Sequence, residues 1–298
     1  YHYLNYKFRK VNIFMNQKSI LGIIFMLAGT FSLGVNDIIV KGLSFKFPVW
    51  EIIFFRALSG MLLSIVLIFI FGFNNLKTQK PFAHFIRAFS SAGCVVLFFF
   101  GIKFLLLSEN QAIFHTAPII ACFLAIPILG EKMNTSRIFA ILIGFIGTLI
   151  ILKPGTDLFK IYSLIPLASA FFMASAYLAT RYLMTTETSI SIIFYYSLTL
   201  LFISIIFFPS DFIFPNFFEM IPLFLIGFIG SLGHYFLSQA AKNAEVMVIT
   251  PFEYSSFIFV TILAYFFYNE IPDISIYIGA IFIIISGIYI VYKEQKKI

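Results

Sequence analysis

The chain has 298 residues, of which 61% are hydrophobic and 11% are charged, and it contains 42 phenylalanines. Soluble domains have about 45–50% apolar and about 25% charged residues, so this composition excludes an ordinary soluble protein and indicates a polytopic membrane protein. The formal net charge of +7 does not indicate nucleic-acid binding, because the basic residues lie in short segments between apolar runs rather than in one patch.

Apolar stretches of about 18–25 residues recur along the chain, and each is long enough to cross a hydrocarbon core about 30 Å thick as a helix. Runs such as IPLFLIGFIGSLG do not alternate, as the strands of a membrane barrel would. The sequence therefore predicts an all-α integral membrane protein with ten transmembrane helices. The predicted spans are residues 19–40, 49–73, 81–106, 109–130, 136–152, 161–180, 188–208, 218–241, 246–268 and 274–292.

Ten spans, an even number, place both chain ends on the same side of the membrane. Lysine and arginine residues outside the spans are concentrated on that side, and cytoplasmic segments carry such an excess. We therefore expect a multi-pass protein of a bacterial inner membrane with both termini in the cytoplasm. Residues 1–18 form the expected N-terminal cytoplasmic segment, and residues 293–298 form a basic cytoplasmic tail.

The two halves of the chain resemble each other at an offset near 140 residues. AGTFSLGVNDIIVK at 28–41 aligns with ASAFFMASAYLATR at 168–181, and IFFRAL at 53–58 aligns with IFYYSL at 193–198. Three such segments at nearly one offset favour an ancient duplication, the third being an acidic turn near the end of each half.

That acidic turn places a glutamate, Glu131 or Glu270, just before the last span of each half. Because each half has five predicted spans, an odd number, the second half enters the membrane from the opposite side. The sequence thus predicts two inverted repeats, at 19–153 and 154–292. Secondary transporters are often built in this way, with the substrate site near the midplane between the repeats.

Longer motifs carry a family resemblance. GFIGTLIILKPG closes the first half, and the second half ends with TPFEYSSFIFVTILAYFFYNEIPD followed by GAIFIIISGIYIVYKE. With the five-plus-five arrangement, these motifs resemble the drug/metabolite transporter superfamily, specifically its EamA-domain branch, over nearly the whole chain from residue 19. The resemblance implies alternating-access transport of small metabolites without ATP hydrolysis.

Short motifs point to substrates within that branch. ND at 36–37, FFR at 54–56, PFAHFIRAF at 81–89 and the Pro-x-x-Tyr of span nine resemble S-adenosylmethionine uptake carriers. GHYFL at 233–237 is similar to some riboflavin carriers, and export of amino acids or drugs is a further alternative on the same fold. These matches identify the branch better than the substrate.

Glu253 lies about seven residues into predicted span nine, within VITPFEYSSF. A charged side chain near the bilayer centre costs about 2.5–3.5 kcal/mol, so it usually faces a cavity or a partner. Pro251 removes one helical hydrogen bond and predicts a kink beside it. We expect Glu253 to bind a cationic substrate group or carry a coupling proton, and the alternative is a permanent pair with Arg56 or Arg87.

Span four contains a second candidate in NQAIFHTAP. His115 lies three residues before Pro118, a second predicted kink, and histidine is the side chain that titrates closest to neutral pH. His115 is therefore a candidate for binding or proton coupling, with ordinary hydrogen bonding in helix packing as the alternative.

Spans one and two carry further polar candidates. Asn36 and Asp37 lie toward the outer end of span one, and Lys41 follows Asp37 by four residues, a spacing that favours an ion pair at the rim. Arg56 is expected either to hold a substrate carboxylate bidentately or to pair with Asp37 or Glu51.

Aromatic and imidazole groups complete the candidate site. Tyr196, His234 and Tyr254 are expected to line the cavity, although a buried tyrosine commonly needs only one partner. His84 and Arg87 lie near the cytoplasmic end of span three, where snorkelling toward water is expected.

The mixed charges and aromatic residues favour a zwitterionic or cationic metabolite, amino-acid-like or similar to S-adenosylmethionine. An intramembrane lipid-modifying enzyme is the alternative from another class, but the sequence has no D-x-x-D or H-E-x-x-H motif and no phosphate-binding loop. We therefore expect no enzyme activity, cofactor or metal site. The expected partners are a small-molecule substrate and the lipid bilayer, with no nucleic acid, and a homodimer is possible.

Overall fold

The computed structural model describes residues 17–130, 161–208 and 210–295, together with positions 139, 142–144, 146, 147, 149 and 150. The predicted N-terminal segment up to residue 16, Glu131 and the final residues 296–298 lie outside the described residues, as does much of predicted span five. Every regular element within the described ranges is an α-helix or a 3-10 helix, which confirms the all-α fold class.

Long helices dominate the described part of the chain. In chain order they are α1 (Gln17–Leu43), α2 (Val49–Phe71), α3 (Pro81–Phe104), α4 (Leu107–Phe114), α5 (Ala117–Leu129), α6 (Leu164–Leu183), α7 (Ser189–Ile206), α8 (Phe217–Asn243), α9 (Val246–Ile249), α10 (Ser255–Tyr268) and α11 (Ile274–Gln295). The 3-10 helices are Phe73–Leu76, Ile161–Ser163 and Thr250–Tyr254.

Seven helical segments are long and apolar enough to cross a membrane. They are Ile20–Leu43, Val49–Phe71, Pro81–Phe104, Glu109–Leu129, Ile161–Leu183, Ser189–Ile206 and Phe217–Asn243. These segments match predicted spans one to four and six to eight. Within predicted spans nine and ten the apolar helices are shorter, at Phe259–Tyr268 and Ile274–Ser286. The chain is therefore a multi-pass membrane protein.

Residues with special backbone properties mark the helix ends. Pro81 begins α3, where its missing N–H costs no helical hydrogen bond. Asn216 and Glu219 form a capping box at the start of α8, each side chain accepting from the other's backbone N–H at 3.0 Å. Gly72 and Gly130 end α2 and α5 at φ angles of 95° and 68°, a region that favours glycine.

Predicted spans four and nine are both interrupted helices rather than single kinked ones. The ring of Pro118 excludes the carbonyl of Phe114 from helical bonding, so α4 ends at Phe114 and α5 begins at Ala117. In span nine, the Thr250–Tyr254 turn that contains Pro251 separates α9 from α10. These breaks fall at nearly corresponding places in the two halves, as they do around the binding sites of secondary transporters.

Packing also repeats between the halves. Helix α1 packs mainly on α8, and its counterpart α6 packs mainly on α3, while α2 packs on α7. Lys41 Nζ donates to the carbonyl of Ile102 at 3.2 Å, and Arg181 Nη1 donates to that of Ala241 at 2.6 Å. Both members of the second contact follow those of the first by about 140 residues, the offset seen in the sequence.

Three glycines on α8 allow neighbouring helices to approach closely. A Cβ on Gly227 would lie 1.7 Å from Ser59 Oγ on α2, and one on Gly233 would lie 2.8 Å from Leu33 on α1. A Cβ on Gly230 would meet the guanidinium of Arg56. Small residues have this role at many helix contacts in membranes, so α8 is fixed closely against α1 and α2.

Candidate functional site

A cavity of about 60 Å³ lies among the helices, next to both interrupted spans. Gln111 and Phe114 of α4 border it from one break, and Glu253 and Ser256 border it from the other. The rest of its lining comes from α1, α2, α3, α6 and α8. These lining residues are Thr30, Leu33, Gly34, Asp37, Arg56, Ser91, Cys94, Val95, Phe98, Phe99, Met173 and His234.

The cavity brings together four residues predicted from the sequence, namely Asp37, Arg56, His234 and Glu253. They are separated by up to about 200 residues in the chain, and each is at most 9% exposed. The site therefore combines two carboxyl groups, a guanidinium and an imidazole in an otherwise largely apolar pocket.

Glu253 lies in the 3-10 turn of span nine and is 4% exposed. The Tyr177 hydroxyl lies beside its carboxylate, while Oε2 has no hydrogen-bond partner among the described residues. Neither Arg56 nor Arg87 is within 4.0 Å of this carboxylate in the described part of the chain. The permanent ion pair considered as an alternative is therefore absent there, and the carboxylate remains available to the cavity.

Arg56 is held on several sides. Its Nη1 donates to Asn36 Oδ1, and Asn36 Nδ2 donates to the carbonyl of Ile226 at 2.6 Å. The guanidinium lies 5.4 Å from the centre of the Phe99 ring, a cation–π distance, and against Gly230. Asn36 is thus fully buried as a support for Arg56 and does not itself line the cavity.

The predicted acidic partners of Arg56 are engaged elsewhere. Glu51 accepts the backbone N–H of Ile213 at 3.0 Å, and Asp37 accepts from Gln111 Nε2 at 2.7 Å. Neither forms a salt bridge with Arg56 within the described residues. Direct ion pairing of Arg56 with either acid is therefore absent from the described part of the chain, although Asp37 is close enough for electrostatic attraction, and Arg56 lines the cavity.

Lys41 lies beyond Asp37 on α1 but has a different partner. Its Nζ is 3.1 Å from Glu270 Oε1, and Glu270 Oε2 accepts from the backbone N–H of Leu107 at 2.7 Å. The predicted ion pair between Lys41 and Asp37 is wrong, because the turn after α10 brings an acid closer to the lysine. This contact joins α1, α4 and the turn between α10 and α11 at one end of the molecule.

Two other predicted site residues, His115 and Tyr196, are not among the described residues that line the cavity. His115 is 2% exposed and lies at the break of span four, with Nε2 3.3 Å from Ser256 Oγ. Tyr196 lies behind His234, with their ring centres 4.5 Å apart. The side chain of Tyr254 is outside the described residues.

The expected snorkelling of His84 and Arg87 is wrong. Both are 3% exposed, because α6 and α7 pack over this part of α3. Arg87 Nε donates to Thr180 Oγ1 at 3.2 Å, and His84 Nε2 is 3.5 Å from Glu187 Oε2. Helix contacts, rather than lipid and water, surround both groups.

Glu187 lies in the loop between α6 and α7, at the end of the molecule opposite Glu270. It accepts hydrogen bonds from the Gln79 backbone N–H at 3.0 Å and from Thr78 Oγ1 at 3.2 Å. Burial raises the pKa of Glu187, but these hydrogen bonds and the neighbouring His84 outweigh burial and hold the pKa below its usual range. The loop is therefore fastened to the start of α3 by a charged group.

Sequence reasoning missed the neutral and apolar lining of the cavity. Of these residues, Gln111 could most easily have been predicted to line the site, because a glutamine inside an apolar span needs a hydrogen-bond partner, as a charged residue needs a counter-ion. Phe98, Phe99 and Phe114 carried no such signal in a chain with 42 phenylalanines.

Comparisons with known proteins agree with this architecture. The model of the EamA-like transporter family matches residues 20–153 and 160–292. An S-adenosylmethionine uptake transporter of Rickettsia prowazekii (strain Madrid E) is 28% identical over 276 residues, covering 93% of this chain and 94% of the relative. The pseudopaline exporter CntI of Pseudomonas aeruginosa (strain UCBPP-PA14) is 26% identical over 269 residues, covering 90% of this chain and 94% of the relative.

A solved crystal structure shares the fold. It superposes with a TM-score of 0.69 at 15% identity, covering 95% of this chain and 99% of the other. At this identity the similarity concerns the fold alone.

Proposed function

Because the chain belongs to the EamA-like transporter family, within the drug/metabolite transporter superfamily, we propose that it is a secondary carrier for S-adenosylmethionine or a close analogue. The proposed carrier has two inverted repeats of five spans, 19–153 and 154–292, and works by alternating access. It lies in a bacterial inner membrane with both termini in the cytoplasm. The family is one of transporters rather than enzymes.

The composition of the cavity is the observation that carries the substrate proposal. Arg56 presents a guanidinium that can bind a carboxylate bidentately, while Asp37 and Glu253 present carboxyl groups for a cationic centre. The phenyl rings of Phe98 and Phe99 suit a cation or a flat heterocycle. S-adenosylmethionine carries all of these groups: a carboxylate, an ammonium, a sulfonium and an adenine ring.

Glu253 is the proposed coupling residue. It is buried next to the cavity, it lies in a helix break, and its Oε2 has no hydrogen-bond partner in the described part. A carboxyl group without a fixed cationic partner can take up a proton on one side of the membrane and release it on the other, so that the proton crosses in the same direction as a substrate held by Arg56 and Asp37. We therefore propose inward movement of substrate driven by protons.

Export of an amino-acid-like metabolite is the second candidate. The similarity to the pseudopaline exporter favours it, since that relative is named for movement in the opposite direction. Both candidates use the same cavity, so the sign of the net flux distinguishes them.

The test is uptake of labelled S-adenosylmethionine into proteoliposomes, with and without an inward proton gradient. We expect saturable uptake that the gradient stimulates in the wild type and that falls to background in Glu253→Gln. The control is Glu245→Gln, because Glu245 is exposed near the start of the same span, and its uptake should match the wild type.

Two results would contradict the proposal. Full gradient-stimulated uptake by Glu253→Gln would remove this residue from coupling. Absence of flux in either direction by the folded wild type would remove S-adenosylmethionine as substrate, while the family assignment would stand.

A further inference from the structure

Arg87 is a buried cation without an acidic partner among the described residues. Its guanidinium is fixed to α6 through the hydrogen bond from Nε to Thr180 Oγ1 at 3.2 Å. Nη1, in contrast, has no hydrogen-bond partner, although the residue is only 3% exposed. A buried charge costs several kcal/mol unless it is paired, so the contact with Thr180 alone does not account for Arg87.

Two neighbours of Arg87 also have unused polar atoms. The guanidinium lies 5.5 Å from the centre of the Tyr196 ring, and the His234 ring lies 4.5 Å from the same ring. The Tyr196 hydroxyl and both ring nitrogens of His234 lack hydrogen-bond partners in the part of the chain that the structure describes. We refer to Arg87, Tyr196 and His234 together as the Arg87 cluster.

The chemistry of the cluster is suited to one kind of ligand. A guanidinium can only donate hydrogen bonds, and a phenol and an imidazole can each donate one. His234 lies close enough to both Arg87 and Arg56 to interact with them electrostatically, so the positive potential of both arginines acts at the His234 ring. Unpartnered donors that lie close together, in a region of positive charge, favour an anionic group.

The cluster borders the substrate cavity. His234 lines the cavity directly, and Ser91, one helical turn beyond Arg87 on α3, lines it too. Arg87 is displaced toward the beginning of α3, which is the cytoplasmic end in the proposed orientation. An anionic group released from Arg56 would therefore meet the Arg87 cluster on the cytoplasmic side.

We propose that the Arg87 cluster is a second anion-binding site, which receives the substrate carboxylate after it leaves Arg56. This assignment of the ligand rests on the proposed function, whereas the anion site itself rests on the cluster alone. A free monovalent anion, such as chloride or formate, carries the same charge as the substrate carboxylate and is the other ligand that could occupy this site.

The first experiment tests the site without the substrate. The melting temperature of the purified protein is measured while gluconate is replaced by formate or chloride at constant ionic strength. We expect a rise in the wild type that is lost in Arg87→Gln. Lys103→Gln is the matched control, since it removes one positive charge from an exposed position on the same helix, and it should respond like the wild type.

The second experiment tests the source of the anion. Uptake of labelled S-adenosylmethionine is compared with that of its decarboxylated analogue in the wild type, Arg87→Gln and Tyr196→Phe. Arg87→Gln removes a charged hydrogen-bond donor to the substrate carboxylate, so KM for S-adenosylmethionine should rise roughly tenfold. KM for the analogue, which has no carboxylate, should change little. Tyr196→Phe removes only an unpartnered hydroxyl, so it tests the cluster if Arg87→Gln fails to fold.

The outcomes separate the alternatives. Loss of both the anion response and the carboxylate preference supports the proposal in full. Loss of the anion response with unchanged preference assigns the site to a free anion. If neither changes in the variants, the site does not exist, and if the wild type transports no S-adenosylmethionine, the melting data still decide the site while the proposed substrate fails.

Discussion

Replacement of Gly230 by alanine tests whether the position of Arg56 determines substrate binding. A Cβ at this position would lie 2.7 Å from Cζ, Nη1 and Nη2 of Arg56, whereas ordinary contacts begin at 3.4 Å. The guanidinium must therefore move by roughly 0.7 Å or more. Because it is the far end of a flexible side chain, it can move without unfolding the helix, and alanine is a better helix former than glycine.

The cost of that movement falls on binding. The displaced guanidinium loses its alignment with Asn36 and with a substrate carboxylate, and a hydrogen bond to a charged group is worth about 1.5–3 kcal/mol. Each 1.4 kcal/mol is a factor of about ten in affinity. We therefore expect KM for S-adenosylmethionine to rise about tenfold to a hundredfold in Gly230→Ala, with little change in melting temperature.

The assay is concentration-dependent uptake in proteoliposomes, with the melting temperature measured on the same preparations. Gly93→Ala is the control, because the atoms nearest to its new Cβ belong to the Phe172 ring, at 3.1 Å, and neither residue lines the cavity. An unchanged KM in Gly230→Ala, or an equal rise in Gly93→Ala, would refute the reasoning.

Two further predictions concern the ends of the molecule. Lys41→Gln and Glu270→Gln should each lower the free energy of unfolding by roughly 3–5 kcal/mol, because the remaining partner stays buried without its counter-ion. The exchanged pair, Lys41→Glu with Glu270→Lys, should recover much of this loss. If thermal unfolding shows the exchanged pair to be no more stable than the single variants, Lys41 and Glu270 do not pair directly. Because the pKa of Glu187 lies below its usual value of 4.5, its carboxylate stabilises the fold above that pH and ceases to do so as pH falls through the folded-state pKa. Glu187→Gln should therefore melt below the wild type at pH 7, and a difference that persists undiminished in strong acid would contradict the assignment.

The membrane-spanning helices were largely predictable, because the apolar runs and the glycine and proline residues that begin or end helices indicate the same boundaries. The span predicted at 49–73 is the helix Val49–Phe71, ended by Gly72, and α3 begins at Pro81, as predicted. Span nine was different. The sequence showed that Pro251 disturbs the helix but not that the local backbone becomes a 3-10 turn, since that depends on packing against other helices.

The charged members of the site were predictable, but their partners were not. A charge in an apolar run, such as Arg56 or Glu253, has few physical explanations other than a cavity or an ion pair. Partner choice joins distant parts of the chain, and spacing within one helix gives no information about it. Lys41 therefore seemed paired with Asp37, whereas the fold brings Glu270 to it from 229 positions away.

The position of a residue along its span also did not predict which groups surround its side chain. Position near a helix end suggested that His84 and Arg87 reach water, but the neighbouring helices cover them. Hydropathy locates a residue along the membrane normal, while its direction around the helix is decided by tertiary packing. The Arg87 cluster became visible only through that packing.

Counterflow tests the central claim of a carrier with one alternating site most directly. Proteoliposomes are loaded with a high concentration of unlabelled S-adenosylmethionine and diluted into a trace of labelled substrate without any ion gradient. A carrier whose site alternates between the two sides predicts that label accumulates transiently above equilibrium in loaded vesicles, and that Glu253→Gln changes this exchange less than it changes gradient-driven uptake. Entry of label at the same rate into loaded and empty vesicles, with no transient accumulation, would contradict the account.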